Sequence, residues 1–423
     1  MTIRGRSTLN AFAAAGAALA LAACGSSGDA SSAAPSARSG PSLRGATVKL
    51  GMISNVGVAI DQSDALGAAR AAVRDINAHG GINGHPVALD FCNEGLDPNK
   101  ARACARQMVG DGVIATVGNF VVTAETDVDT ILRNAKIPNV GAISLTGDSG
   151  TDTNSFDFNP RYDVINIAMV HAAIASGGKN IAMLALENPE EGPWVQEITA
   201  ATNGLGGRYV GTVSVPQVTG DLSTQAAALT QMKPDAVILN ASASAGLQIM
   251  KDMASLGYSG RFESGSYQFL ESDLQTLGVP NAITISSPFP AANATGIAAV
   301  KQYDADVSAE KAAGDHDAAP SNKIVRSPAF AAWLAAVTVQ KIADQSKALT
   351  GATMLRALQS AKDVDMGGAI PAWTPNATNA AMPKPRNNAT SLWAYAWTNG
   401  AVTANATAPA DDSAIYRKYT TEK

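Results

Sequence analysis

Residues 48–54 read VKLGMIS and residues 67–89 read GAARAAVRDINAHGGINGHPVAL. The first stretch holds an apolar run of strand length, Val48 to Ile53. From Leu66, just before the second, Ala69, Val73 and Ile76 follow at helical spacing, and Gly80 and Gly81 stop the helix. Val87 to Phe91 returns to strand. Asp97-Pro98 reads as a capping carboxylate followed by the proline that a first helical turn accepts, so a second helix opens there and carries Cys104. Val113 to Val117 predicts a strand, Glu125 to Asn134 a helix and Asn139 to Ile143 another strand. Strands separated by helices pair in parallel, because each helix is the crossover that brings the chain back to start the next strand in the same direction. The reading is a doubly wound parallel sheet.

The alternation then starts again. Val164 to Ser176, Trp194 to Thr202 and Leu222 to Gln231 predict helices, interleaved with strands at Asn180 to Leu186, Tyr209 to Val215 and Ala236 to Leu239. A helix near Ala245 to Leu256 and strands near Phe262 and Ile283 follow. Helices from Pro328 to Gln345 and Met354 to Ser360 come next, and Ser391 to Trp397 alternates like a strand. A chain of 423 residues exceeds what one core usually serves. Two α/β lobes are therefore expected, 47–160 plus 290–372 and 161–289 plus 373–412, with 413–423 as a tail.

The N-terminus reads differently. Arg4 and Arg6 precede an apolar run from Ala11 to Ala23, the layout of an export signal and too short to span a bilayer comfortably. Leu21-Ala22-Ala23-Cys24 closes it and resembles the lipobox of bacterial lipoproteins, whose cysteine receives a diacylglycerol before cleavage. Residues 1–23 are thus expected to be a signal peptide, Cys24 the lipidated residue and 24–46 a flexible Gly/Ser/Ala/Pro tether. The protein would work outside the cytoplasm, anchored at the outer face of the cell membrane or in the periplasm. Disulfides persist there, and the two remaining cysteines, Cys92 and Cys104, are expected to pair; the alternative is two buried thiols. A net charge of -5, which loss of Arg4 and Arg6 deepens, argues against a nucleic-acid partner.

With GAARAAVRDINAHGGINGHPVAL stand DPNKARACARQMVGDGVIATVG at 97–118 and IPNVGA at 137–142. Together these stretches resemble the leucine/isoleucine/valine-binding type of extracellular solute-binding protein, over roughly residues 47 to 400. The resemblance implies two lobes joined by a three-crossover hinge, a small-molecule ligand in the cleft between them, a monomer, and an ABC permease with its ATPase as partners. The ligand class implied is an amino acid or a related small organic carboxylate or amide. A ligand-sensing lipoprotein that signals to a membrane kinase or chemoreceptor is the alternative.

Open α/β sheets bind ligands outside the carboxyl ends of their strands, which locates the candidate residues. In the first lobe these are Asn55, Asn119, Thr123, Ser144 and Thr146. The resemblance implies a ligand carboxylate held here by hydroxyls and backbone N–H groups. The position where relatives carry a serine is Val122, so Thr123 is read either as a shifted ligand hydroxyl or as a helix cap. In the second lobe the candidates are Glu191, Trp194, Ser242, Ser266 and Tyr267. Relatives that bind amino acids place an acid near Ser266 and a tyrosine near Ser242 or Ala243, and both are missing here. Glu191 and Glu263 are the acids that could meet a ligand ammonium instead, with Glu263 expected at a strand end facing water. Trp194 and Tyr267 could form an apolar wall, with Phe269 in the core.

Enzymatic chemistry is not encoded in any recognised pattern. Gly147-Asp148-Ser149-Gly150 lacks the spacing of a nucleophile elbow. Gly80 to Gly84 lacks the lysine of a phosphate-binding loop, and His79, His85, His171 and His316 are too scattered for a zinc site. Neither a cofactor nor a metal is expected, and the protein is read as a binder rather than an enzyme.

Overall fold

The computed structural model describes residues 43–145, 150–187, 191–216, 220–294, 296–320, 323, 326–378, 386, 389–404 and 409–419. The first series of elements is β1 (Val48–Ser54), α1 (Ser63–Ala78), β2 (Val87–Asn93), α2 (Pro98–Asp111), β3 (Ala115–Val117), α3 (Glu125–Asn134), β4 (Asn139–Val140) and β5 (Ser155–Phe156). Its five strands form one sheet in the order β2-β1-β3-β4-β5, with every pairing parallel. Asp97 caps α2 as its sequence requires, accepting from Asn99 N at 2.8 Å and Lys100 N at 3.3 Å, and Gly112 ends the helix in the left-handed region. Cys92 on β2 and Cys104 on α2 form a disulfide with their Cα atoms 5.5 Å apart, which joins the end of the edge strand to the helix beside it.

The second series is α4 (Tyr162–Ala175), β6 (Asn180–Leu186), α5 (Glu191–Gly204), β7 (Arg208–Val215), α6 (Ser223–Gln231), β8 (Ala236–Asn240), α7 (Ala243–Ser255), β9 (Arg261–Gly265), α8 (Glu271–Gln275) and β10 (Ile283–Ser287). The chain then supplies α9 (Ala298–Ala312), α10 (Ser327–Ala343) and α11 (Gly351–Ser360) to the first core. It returns as β11 (Ser391–Thr398), β12 (Ala401–Ala404), β13 (Ala410–Asp411) and α12 (Ser413–Tyr419). The second sheet runs β12-β11-β10-β9-β8-β6-β7. Its strands β6 to β10 are parallel, but β11 joins antiparallel to β10 and β12 antiparallel to β11. The chain passes between the two sheets three times, which gives the two-lobed α/β architecture that the alternation predicts.

Helix α10 lies across the first core with α1 and α9, and there Phe330, Trp333 and Tyr303 are almost completely buried. Each large side chain removed from water in this way contributes roughly 1.5–3 kcal/mol. Gly118 sits at φ +59 at the end of β3, and a Cβ there would lie 2.4 Å from Ala332 Cα. The glycine lets β3 approach α10 while its chain turns out towards Asn119–Thr123. Two predicted elements differ. The strand expected to reach Ile143 ends at Val140, because Gly141 takes φ +65 and leaves the extended region. Helix α9, which the sequence reading lacked, buries Ala299, Val300, Tyr303, Asp306 and Val307 on one face.

Candidate ligand-binding cleft

In the first sheet β1 lies between β2 and β3, and in the second β6 lies between β7 and β8. Crossovers leave such a strand in opposite directions, so the loops at its carboxyl end diverge and open a crevice. The two crevices face each other across one cleft of about 510 Å3. Ala59, Ile60, Asp61, Gln62, Phe120, Val122, Thr123 and Leu145 line it from the first lobe, and Arg326 from the start of α10. Tyr162, Leu186, Trp194, Asn240 to Ala243, Tyr267, Gln268, Leu270 and Asp273 line it from the second. Most of that surface is apolar, as a site for a small organic body requires.

Three aromatic rings stack along the second-lobe wall. Tyr162 lies 4.8 Å from Trp194 and 4.8 Å from Tyr267 between ring centroids, tilted by 31° and 39°. The Tyr162 hydroxyl donates to Asn240 Oδ1, and Asn240 Nδ2 donates to Asn166 Oδ1 at 3.3 Å. Burial raises the pKa of both tyrosine hydroxyls, so they stay neutral hydrogen-bonding groups. The Tyr267 hydroxyl is buried and makes no hydrogen bond of good geometry.

Behind the first-lobe wall Glu94, which follows β2 directly, is completely buried. One of its oxygens accepts from Val122 N at 2.8 Å and from Asn55 Nδ2 at 2.9 Å; the other accepts from Thr123 Oγ1 at 2.6 Å. Arg326 is the cationic residue of the cleft lining among the described residues, and its five N–H groups all find acceptors. Nε reaches Tyr267 O at 3.0 Å, Nη1 reaches Asp64 Oδ1 at 2.7 Å and Asp61 O at 3.3 Å, and Nη2 reaches Gln62 Oε1 at 3.0 Å and Asp61 O at 3.3 Å. Desolvation outweighs the arginine and leaves the Asp64 carboxyl with a raised pKa.

Among the candidates from the sequence, Thr123, Trp194, Ser242 and Tyr267 line the cleft. The Thr123 hydroxyl is committed to Glu94, and Ser242 Oγ caps α7 by accepting from Ala245 N at 3.3 Å. Asn55 and Asn119 stand behind the wall as supports, Asn55 tying Glu94 and the Leu96 N–H together and Asn119 Oδ1 accepting from Ile53 N at 2.8 Å. Ser144 is turned away as well, its hydroxyl 3.4 Å from Asp157. Ser266 is buried, with its hydroxyl unpartnered and outside the lining. Thr146, Cys24 and the Glu191 side chain lie outside the described residues.

Glu263 corrects an expectation. It sits in the middle of β9, paired with Ile238 and Thr284 on the neighbouring strands, and is fully buried rather than facing water. Burial drives its pKa well above the ordinary value, and its place in the sheet interior, outside the cleft lining, gives a ligand no countercharge. Sequence reasoning missed Tyr162, Glu94 and Arg326. Arg326 left one trace, since it immediately precedes the Ser327-Pro328 start of a helix.

An α/β chain in two lobes, with one cleft at the facing carboxyl ends of both sheets, defines the class of cleft-binding receptors. The sequence profile described as periplasmic binding protein matches residues 47–401, and the chain belongs to that family. Among known structures it is similar to a fatty acid ABC transporter substrate-binding protein from Thermomonospora curvata, at 18% identity and a TM-score of 0.72 over 90% of this chain and 96% of that one. It is also similar to a leucine-binding protein from Thermotoga maritima, at 15% identity and 0.69 over 86% and 99%. At these identities the likeness speaks to the fold. A Leu/Ile/Val-binding protein homologue of Brucella abortus is 40% identical over 50 residues, which is 12% of this chain and 14% of that protein.

Proposed function

We propose that this chain is the solute-binding lipoprotein of an ABC importer, anchored outside the cytoplasm through Cys24. It captures a small solute between its lobes and presents it to a membrane permease driven by an ATPase. The observation that carries this reading is the shared cleft: both sheets contribute their carboxyl-end loops to one chamber, so closing the lobes encloses whatever lies there. The family supports it, and so do two similar structures whose names specify a fatty acid and leucine, solutes with an apolar body. Within the range of amino acids, small carboxylates and amides, the Tyr162, Trp194 and Tyr267 wall suits a ligand with an aliphatic or aromatic body.

Native mass spectrometry of the exported protein identifies any solute retained through purification. Thermal denaturation after unfolding and refolding to release it, against a panel of amino acids, amides and aromatic acids, then measures binding. At a hundredfold excess over Kd a true ligand stabilises the fold by about 2.7 kcal/mol. If nothing is retained and no member of the panel raises Tm, the receptor reading fails.

A further inference from the structure

We propose that Glu94 is an internal anion that fills the carboxylate-holding donors of the first lobe, and that the ligand is accordingly a neutral, largely apolar molecule with a carbonyl or hydroxyl oxygen. The inference rests on the receptor reading and narrows its substrate class.

A backbone N–H, a hydroxyl and a side-chain amide that converge on one point form a cradle for an anion. Val122 N, Thr123 Oγ1 and Asn55 Nδ2 converge in this way, two of these residues lie in the cleft wall, and all three donors are taken by the buried Glu94 carboxylate. Arg326 offers nothing in compensation, since each of its N–H groups is already bound to protein. An anionic ligand would enter a cleft whose donors for negative charge are occupied and whose buried neighbour carries the same sign, and leaving its charge unpaired is costly. Among the described residues the acids of the cleft lining are Asp61 and Asp273, neither of them buried and both already accepting hydrogen bonds, Asp61 from Gly57 N and Ser63 Oγ and Asp273 from Leu270 N. Glu263 lies in the sheet interior, so an ammonium meets no buried countercharge there. What the cleft does offer is three aromatic rings and the Tyr267 hydroxyl, which is nine-tenths buried, lacks a hydrogen bond of good geometry and has only the neighbouring Tyr162 hydroxyl beside it. That hydroxyl suits a neutral oxygen on the ligand.

The test uses acetate as a stand-in for the Glu94 carboxylate. In Glu94→Ala the donors are freed, and high sodium acetate is expected to raise Tm by about 2 °C or more relative to equal sodium chloride, while the wild type shows no difference between the salts. Glu94→Ser, whose hydroxyl keeps a partner for one donor, carries the same comparison should Glu94→Ala not fold. Acetate that fails to stabilise a folded variant, or stabilises the wild type equally, overturns the proposal. So does wild-type protein that binds phenylacetate more tightly than phenylacetamide. The two readings fail separately: acetate rescue without any solute in the panel sinks the receptor and spares the cradle, and a carboxylate solute bound by wild type does the reverse.

Discussion

The Arg326 guanidinium and the Asp64 carboxylate meet at 2.7 Å with both side chains less than a tenth exposed, and through that pair the N-terminus of α10 is fixed to the first turn of α1. A buried pair broken on one side leaves an uncompensated charge, which costs about 3–5 kcal/mol. Arg326→Met should lose about that much in urea denaturation. Arg326→Met combined with Asp64→Leu should recover part of it, leaving the Tyr267, Asp61 and Gln62 acceptors as the residue of the loss. A double variant no more stable than the single one would contradict the pair's role.

The aromatic wall makes a separate prediction. Trp194→Ala removes the ring that stacks on Tyr162 and should weaken solute binding about 10- to 100-fold by calorimetry, a change of roughly 1.4–2.8 kcal/mol. Ser242→Ala, whose hydroxyl is spent on capping α7, should instead cost about 1 kcal/mol of stability and leave affinity nearly unchanged. Equal effects of both on binding would place the solute nearer Ser242 than the rings.

Replacing Cys92 and Cys104 by serine opens a loop of 12 residues and should destabilise the fold by about 3 kcal/mol in a chain-entropy account. Chemical denaturation with and without reductant measures it on the wild type. Identical curves would show that the crosslink constrains nothing.

Asp157 gives the pH dependence. Burial raises its pKa from 3.8 to about 7, against the hydrogen bonds from Ser155 at 3.1 Å and Ser144 at 3.4 Å and the nearby Arg386 charge. The folded protein therefore holds a proton that the unfolded chain has already released between about pH 4 and 7. The stability Asp157 contributes is complete below its unfolded pKa and is lost as pH rises through 7. Unfolding free energies measured across that window should fall with pH, and Asp157→Asn should flatten the fall in part, with the remainder left to the other acids whose pKa is raised, Asp64, Asp129, Glu263, Asp304 and Asp306. An unchanged slope in the variant would remove Asp157 from the account.

Much of the architecture is legible because periodicity is local: a run such as VKLGMIS and a helix such as α1 announce themselves within a few residues, and strands spaced by helices leave parallel pairing as the economical solution. Direction is harder. Nothing in Ser391 to Trp397 tells a parallel strand from an antiparallel one, so the reversal of β11 against β10 appears only in the structure. Helix α9 was concealed by alanine, whose small side chains blur an amphipathic stripe. The site was less legible than the fold. Glu94 stands in a stretch reading FCNEGLDPN, an ordinary strand-to-helix loop. Its role depends on β2 and β3 flanking β1, which brings the residue after one strand against the loop after another. Thr123 and Asn55 were found by that same topological rule, but a loop position does not say whether a side chain points to ligand or to a neighbour.

The bonding of Arg326 is divided unequally between the two lobes. Four of its contacts go to residues 61–64 and one to the Tyr267 carbonyl across the cleft. A rotation of one lobe away from the other would sever the single strand-end contact and keep the four, so the arginine travels with α1 and α10 as the corner of a rigid block. The start of α10 holds a second tie to the same turn, Ser327 N donating to Ser266 O at 3.1 Å, so an outward swing of the second lobe would have to hydrate both the Tyr267 and the Ser266 carbonyls.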